Sequence, residues 1–250
     1  MTNLREVDWA GLCAAFPDDM YLIHRVGDPG TIRRAVVSEH GWSTRTRSEY
    51  WESDWVMFWC ESMDADERAA ELAAHLRWHR GFADGGDIGG MTLNDDTDLP
   101  DGLVMPSFNS WSWFWTDAVR AQVSSDADVV EIAHEDPRLK ELLAHSPTAA
   151  HERDGKAPHM WFGIVEGDQL LSVAAVDKNG SSTLVQNVVT HADARGRGLA
   201  TRVCSHATAW SLLQVPYATL GMMTDNEAAE RIYLSLGYVC DKRFRSGLFG

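Results

Sequence analysis

The chain has 250 residues, 44% hydrophobic and 24% charged, an ordinary globular composition with room for one large domain or two small ones. A net charge of −15 argues against non-specific binding to nucleic acid or an anionic membrane. The longest apolar run, Trp55 to Cys60, is too short to span a bilayer, and the four cysteines show no C-x-x-C spacing.

The first half, residues 1–125, reads as an acidic, aromatic-rich domain. It holds 21 acids against 10 bases, and eight of the eleven tryptophans lie between Trp42 and Trp115. The aromatics read as core, with a pocket wall as the alternative. The acidity reads as a solubilising surface, with attraction of a cationic amine as the alternative. Glu6, Asp8 and Trp9 stand where a secretory leader would be basic and then apolar, so no leader is expected, and the cysteine spacing leads to the expectation of a reduced, cytoplasmic protein. The pattern predicts a strand over Tyr50–Cys60, a helix over Asp64–Phe82, a loop over the Gly- and Asp-rich stretch Gly81–Gly102, and a strand over Phe108–Trp115. His75 and His79 share a helical i, i+4 spacing seen in metal sites. Leu76 stands where H-E-x-x-H needs Glu, so the pair is read as partly exposed and no metal is expected.

The second half, residues 126–250, alternates strands and helices. A short strand (Val129–Ala133) and a short helix (Arg138–His145) precede a polar stretch with Pro147, Gly155 and Pro158. Met160–Val165 and Leu170–Val176 form a hairpin around Glu166-Gly-Asp168, and Asn179-Gly180 turns into the strand Thr183–Thr190. Simple alternation puts Thr183, Val185, Asn187 and Val189 on one face of that strand. A helix from about Gly198 to Gln214, a strand Tyr217–Met223, a helix opened by a Thr224-x-x-Glu227 capping box and ended at Gly237, and a strand Tyr238–Phe249 complete the series.

One stretch of this half carries distinct chemistry. The strand Thr183–Thr190 feeds Arg195-Gly-Arg-Gly198 and then a helix N-terminus. Unpaired N–H groups and the positive end of the helix dipole favour a phosphate there. Gly196 and Gly198 leave the backbone approachable, and Arg195 and Arg197 add charged donors. A P-loop is excluded because no Gly-Lys-Ser/Thr follows. A dinucleotide fingerprint is excluded because Thr201 stands at the third glycine position.

Arg195-x-x-Gly198-x-Ala200 resembles the Q/R-x-x-G-x-G/A signature of the GNAT acetyltransferases. Asn226-Glu-Ala-Ala-Glu-Arg-Ile-Tyr-Leu-Ser-Leu-Gly-Tyr238 is similar to a second pattern of that family, N-x-x-A-x-x-[FY]-Y-x-x-x-G-[FY], with Ile232 at the first aromatic position. The resemblance covers about residues 126–248. It implies an α+β fold, a mixed and mostly antiparallel sheet flanked by helices. For residues 1–125 both a degenerate second copy and an unrelated cap stay open.

What the resemblance implies chemically is acetyl transfer from acetyl-CoA to an amine, with no metal. Arg195, Gly196, Arg197, Gly198, Leu199, Ala200 and Thr201 would hold the pyrophosphate, and Val188, Val189 and Thr190 would pair with the pantetheine arm. Asn226, Ala229 and Tyr233 complete the coenzyme residues. Tyr233 matches the family's general acid on the coenzyme thiol, and the Val189 N–H is the expected donor to the thioester oxygen. The strand before the loop holds no carboxylate. Asn187 would orient a water there, while His191, Asp225 or an acid of the first half stay open as base. The expected acceptor is a small-molecule amine, over which the aromatic-rich first half would close. A protein or peptide acceptor and a non-catalytic acyl-CoA sensor are the alternatives. Neither nucleic acid nor membrane is expected as a partner, and a homodimer is left open.

Overall fold

The computed structural model describes residues 2–26, 31–48, 53–61, 64–81, 87–152 and 157–250. These form two compact units. The first comprises residues 1–112, 223–225 and 242–250, and the second residues 113–222 and 226–241.

The first unit contains β1 (Arg5–Val7), α1 (Trp9–Ala15), a π-helical turn (Leu22–Val26), β2 (Ile32–Val37), β3 (Gly41–Ser48), β4 (Ser53–Cys60), α2 (Ala65–Arg80) and β5 (Ile88–Asn94). The sequence pattern predicted only β4 and α2 among these. Residues 50–52 of the expected strand and Phe82 of the expected helix lie outside the described residues. β5 falls inside the expected loop over Gly81–Gly102, and the glycines that suggested a loop have another purpose. A Cβ on Gly90 would come within 2.5 Å of the Trp55 ring and 2.6 Å of the Gly247 carbonyl. They permit close strand packing. Val56, Phe58, Leu72, Leu76, Met91 and Leu93 form this unit's core. His75 and His79 are fully buried rather than partly exposed. The Ser43 Oγ sits between them, 2.7 Å from His75 Nδ1 and 2.8 Å from His79 Nε2.

The second unit contains β6 from Trp113 on (full strand Asn109–Asp117), β7 (Val129–Ile132), α3 (Pro137–Leu143), β8 (Met160–Glu166), β9 (Gln169–Asn179), β10 (Ser182–Thr190), α4 (Leu199–Leu212), β11 (Tyr217–Met223) and α5 (Glu227–Ser235). The predicted elements of residues 126–250 all appear, with ends shifted by a few residues. Helix α5 starts differently. Its N-cap is Asn226, whose Oδ1 accepts from the Ala229 N–H at 3.1 Å, while the Thr224 hydroxyl donates to the Ser110 carbonyl instead of capping. At its other end Gly237 has φ +86°, and a Cβ there would strike the Arg120 carbonyl at 2.2 Å.

Strands run β1-β2-β3-β4-β5-β12 in the first unit, where β12 is Val239–Leu248, and β6-β11-β10-β9-β8-β7 in the second. The β4–β5 and β10–β11 pairs are parallel, and the other described ladders are antiparallel. One order of elements therefore occurs twice: strand, helix, three strands, helix, parallel strand. A cut at residue 125 does not match the compact units, because ladders decide membership. Phe244–Leu248 pairs with Gly90–Asn94, and residues 113–125 go with the second unit.

The second unit buries its sheet on both faces. Val185, Leu199, Val203, Ala207, Tyr233 and Leu236 share one core, and Ile132, Leu139, Leu142, Trp161, Val173 and Val189 share the other. Val185 and Val189 would lie on the same face of a regular strand. They lie on opposite faces because the register against β9 shifts between Gln186 and Val189, a bulge centred on Asn187 at φ +51°.

Candidate acetyl-donor site

The bulge marks where β10 and β11 part. Their ladder runs from Ser182↔Tyr217 to Val185↔Leu220, while β10 continues along β9 to Thr190. From there a short 3-10 turn, Ala192–Ala194, leads to the Arg195–Gly198 loop and the head of α4. Strand edge, loop and helix start are thus consecutive in sequence and adjacent in space.

Gly196 and Gly198 sit at φ +76° and +73°, and a Cβ on either would meet nothing within 4 Å. The space in front of this loop is open. Gly198 is the N-cap of α4 and brings no side-chain acceptor to the first turn, which also holds no acid. No side-chain cap therefore answers the first-turn amides at Leu199, Ala200 and Thr201, where a helix head can receive an anion. The Arg197 guanidinium pairs with Glu166, and Arg195 reaches the His145 carbonyl at 3.5 Å, both from half-exposed or exposed positions. One turn into α4, Arg202 is committed elsewhere. It binds Asp126 at 2.6 Å and Asp128 at 2.7 Å and holds the Asp126 carboxyl down at about 2.

Along β10 the geometry bears on two expected roles. His191 donates its N–H to the Leu171 carbonyl on β9 at 2.8 Å. Alternate strand amides point the same way, so the Val189 N–H also faces β9. By the same alternation the Thr190 N–H faces away from β9. Asn187 does not stand free to orient a water. Its Nδ2 donates to the Ala150 carbonyl at 2.8 Å and its Oδ1 accepts from the Ala150 N–H at 3.1 Å. It ties the segment after α3 to the bulge, a contact 37 residues apart that no local pattern signals.

Tyr233 is only 7% exposed and packs beside Phe114 and Tyr238, in the same core that Val188 leans against. Burial, then the neighbouring Cys204 and Tyr238, drives its pKa well above the ordinary phenol value, so it stays protonated. Ile232 is half-buried, and Ala229 packs on this core instead of facing outward. Asn226 is spent as the cap of α5. His191 holds the Asp193 N–H on its Nδ1 at 3.3 Å, and its ring stands edge-on to His145 at 4.5 Å.

Residues 126–238 match the family model for the acetyltransferase (GNAT) family. This segment is a GNAT acetyltransferase domain. The whole chain is similar in fold to a GNAT-family acetyltransferase from Colwellia psychrerythraea, with 12% identity, coverage of 99% of this chain and 100% of that one, and a TM-score of 0.55. It is also similar to a GNAT-family protein from Novosphingobium aromaticivorans (21% identity, 83% and 87% coverage, TM-score 0.54). A third likeness is to a tandem GNAT protein from the clavulanic acid biosynthesis pathway (14% identity, 98% of each chain, TM-score 0.51). No curated protein matches the sequence. The near-complete coverage of a tandem protein agrees with the repeated order of elements, and the first unit fits a second copy of the same fold. Among the described residues no helix is long and apolar enough to cross a membrane.

Proposed function

We propose that this protein transfers an acetyl group from acetyl-CoA to the amine of a small molecule. The observation that carries the reading is the open Gly196–Gly198 loop at the uncapped head of α4, directly after the point on β10 where its ladder with β11 ends. The loop and first-turn amides, aided by Arg195, would hold the pyrophosphate. The Val188 and Thr190 amides would pair with the pantetheine arm and take up charge on the thioester oxygen as it develops.

In the reaction the amine nitrogen attacks the thioester carbon, the carbon–sulfur bond breaks, and the nitrogen gives up a proton. Tyr233, kept neutral by burial, protonates the departing thiolate. Its reference pKa of about 10 against about 8.5 for a thiol gives no thermodynamic pull, so its contribution is position. The strand amide that would have steered a water is tied to Ala150. The proposed acceptor therefore arrives partly neutral and gives its proton to solvent or to a group outside β10.

Coenzyme A release, measured over a panel of small amines with acetyl-CoA as donor, tests the reading. Turnover with at least one small amine is the expected result. Coenzyme binding without turnover on any amine or peptide would make the chain an acyl-CoA sensor, and absence of coenzyme binding would remove the site altogether.

A further inference from the structure

We infer that His134, His151 and Glu152 form a binding site for a divalent transition metal of the zinc type. One ligand atom from each of the three lies within 4.8 Å of the others. All three belong to the second unit. His134 follows β7, while His151 and Glu152 directly follow Ala150, which Asn187 anchors to the β10 bulge.

Two details favour a metal over a chance cluster. The His134 Nε2 and Glu152 Oε1 are 3.4 Å apart, long for a hydrogen bond. That spacing equals the edge of a tetrahedron with metal–ligand bonds of about 2.1 Å. The His151 Nε2 lies 2.8 Å from the His134 carbonyl oxygen and must donate to it, which leaves the Nδ1 lone pair free to bind. A backbone carbonyl that fixes the tautomer in this way is the usual outer partner of a ligating histidine. The two imidazoles are stacked, 22° apart with centroids at 4.0 Å, and Trp161 lies nearly parallel to the His151 ring at 18°, so a shared ion requires one imidazole to turn until both lone pairs converge.

Two imidazoles and one carboxylate suit zinc, cobalt or nickel and disfavour magnesium and calcium, which prefer oxygen. Three protein ligands leave a fourth position for water or a donor atom of a bound molecule. Bound metal would clamp the end of β7 to the 150–152 segment and so reinforce the Asn187 tie.

The test is titration of the untagged full chain with Co²⁺, followed by visible absorption, and with Zn²⁺, followed by calorimetry. The expected result is one ion per chain, a four-coordinate cobalt spectrum and a higher melting temperature with Zn²⁺, with no such effect of Mg²⁺. His151→Ala should weaken binding by more than the ~10–100-fold that loss of an outer partner costs. Glu152→Gln, at a half-exposed position, tests the site without risk to the fold and should shift the cobalt spectrum and weaken binding. Absence of binding to the wild type, or unchanged binding in Glu152→Gln, overturns the inference. The titration contains no acyl donor, so its failure leaves the acetyl-transfer reading intact.

Discussion

The two units share an order of elements and differ at the start of the helix that follows the third strand of the trio. In the second unit that helix, α4, begins at Gly198 with no side-chain cap and no acid in its first turn. In the first unit α2 begins at Asp64, whose carboxylate accepts from the Glu67 N–H at 2.9 Å, and Asp66 and Glu67 crowd the first turn. The dipole of α2 is already answered by carboxylates, and a pyrophosphate there would meet like charge. The strands differ in the same sense. β10 and β11 part after Val185, whereas the Asn94 side chain stitches the end of β4 to β5, accepting from the Cys60 N–H at 3.1 Å and donating to its carbonyl at 2.8 Å. A shared topology therefore does not confer a shared ligand. The proposed coenzyme site rests on an uncapped helix head and the early end of a parallel ladder, and among the described residues α2 shows no such uncapped head.

That contrast can be broken or sharpened experimentally. The largest effect should come from Tyr233→Phe, which keeps the ring and removes the hydroxyl. General acid catalysis typically contributes ~10²–10⁴-fold, so turnover should fall by at least about two orders of magnitude while coenzyme affinity and melting temperature hold. Steady-state kinetics with a thermal scan decides it. Near-normal turnover would remove Tyr233 from the reaction, and a collapse in stability would make it a core residue only.

Next comes the anion site. Coenzyme A at ~100 times its dissociation constant should stabilise the wild type by about 2.7 kcal/mol. Gly198→Asp gives α4 the kind of head α2 already has and should abolish that shift. A folded Gly198→Asp chain with a normal coenzyme-induced shift would place the coenzyme elsewhere.

Acid should separate the units. Burial, then the nearby His75, Arg45 and Arg34 charges, lowers the pKa of His79 in the first unit to about 3. The unfolded chain binds this proton near pH 6.5 and the folded one does not. The stability tied to neutral His79 is thus complete above pH 6.5 and is lost as pH falls from 6.5 toward 3. Chemical denaturation at pH 7, 5.5 and 4 should show the decline, and His79→Gln should flatten it. An equally steep decline in that variant would assign the effect to other groups.

The smallest effect belongs to the cap of α2. Asp64→Ala should cost about 0.5–2 kcal/mol of stability, read from denaturant melts, and leave the coenzyme-induced shift unchanged. A changed coenzyme shift would mean the first unit still takes part in coenzyme binding.

The second unit was largely legible in sequence, because its patterns are local. Helix periodicity in α4, the two-residue turn at Asn179-Gly180 and the glycine loop each lie within a few residues. What stayed hidden depends on distant partners. The bulge at Asn187 turned Val189 to the other core, and alternation alone does not reveal a register shift. The latch to Ala150, the β5 strand among glycines and the Ser43 bridge between His75 and His79 all pair residues more than thirty apart, or strands whose neighbours come from elsewhere in the chain. The capping box failed for a related reason, since the Thr224 hydroxyl is drawn to the Ser110 carbonyl.

The ladder between β5 and β12 bears on the biosynthesis of the chain. The strand Gly90–Asn94 waits for Phe244–Leu248 as its partner. At about 5–20 residues per second, a ribosome takes on the order of ten to thirty seconds to make the stretch between them. The first unit to emerge is therefore the last to be completed, with an edge strand unpaired in the interval. Its Trp-rich sheet is the segment most in need of protection while the nascent chain lengthens.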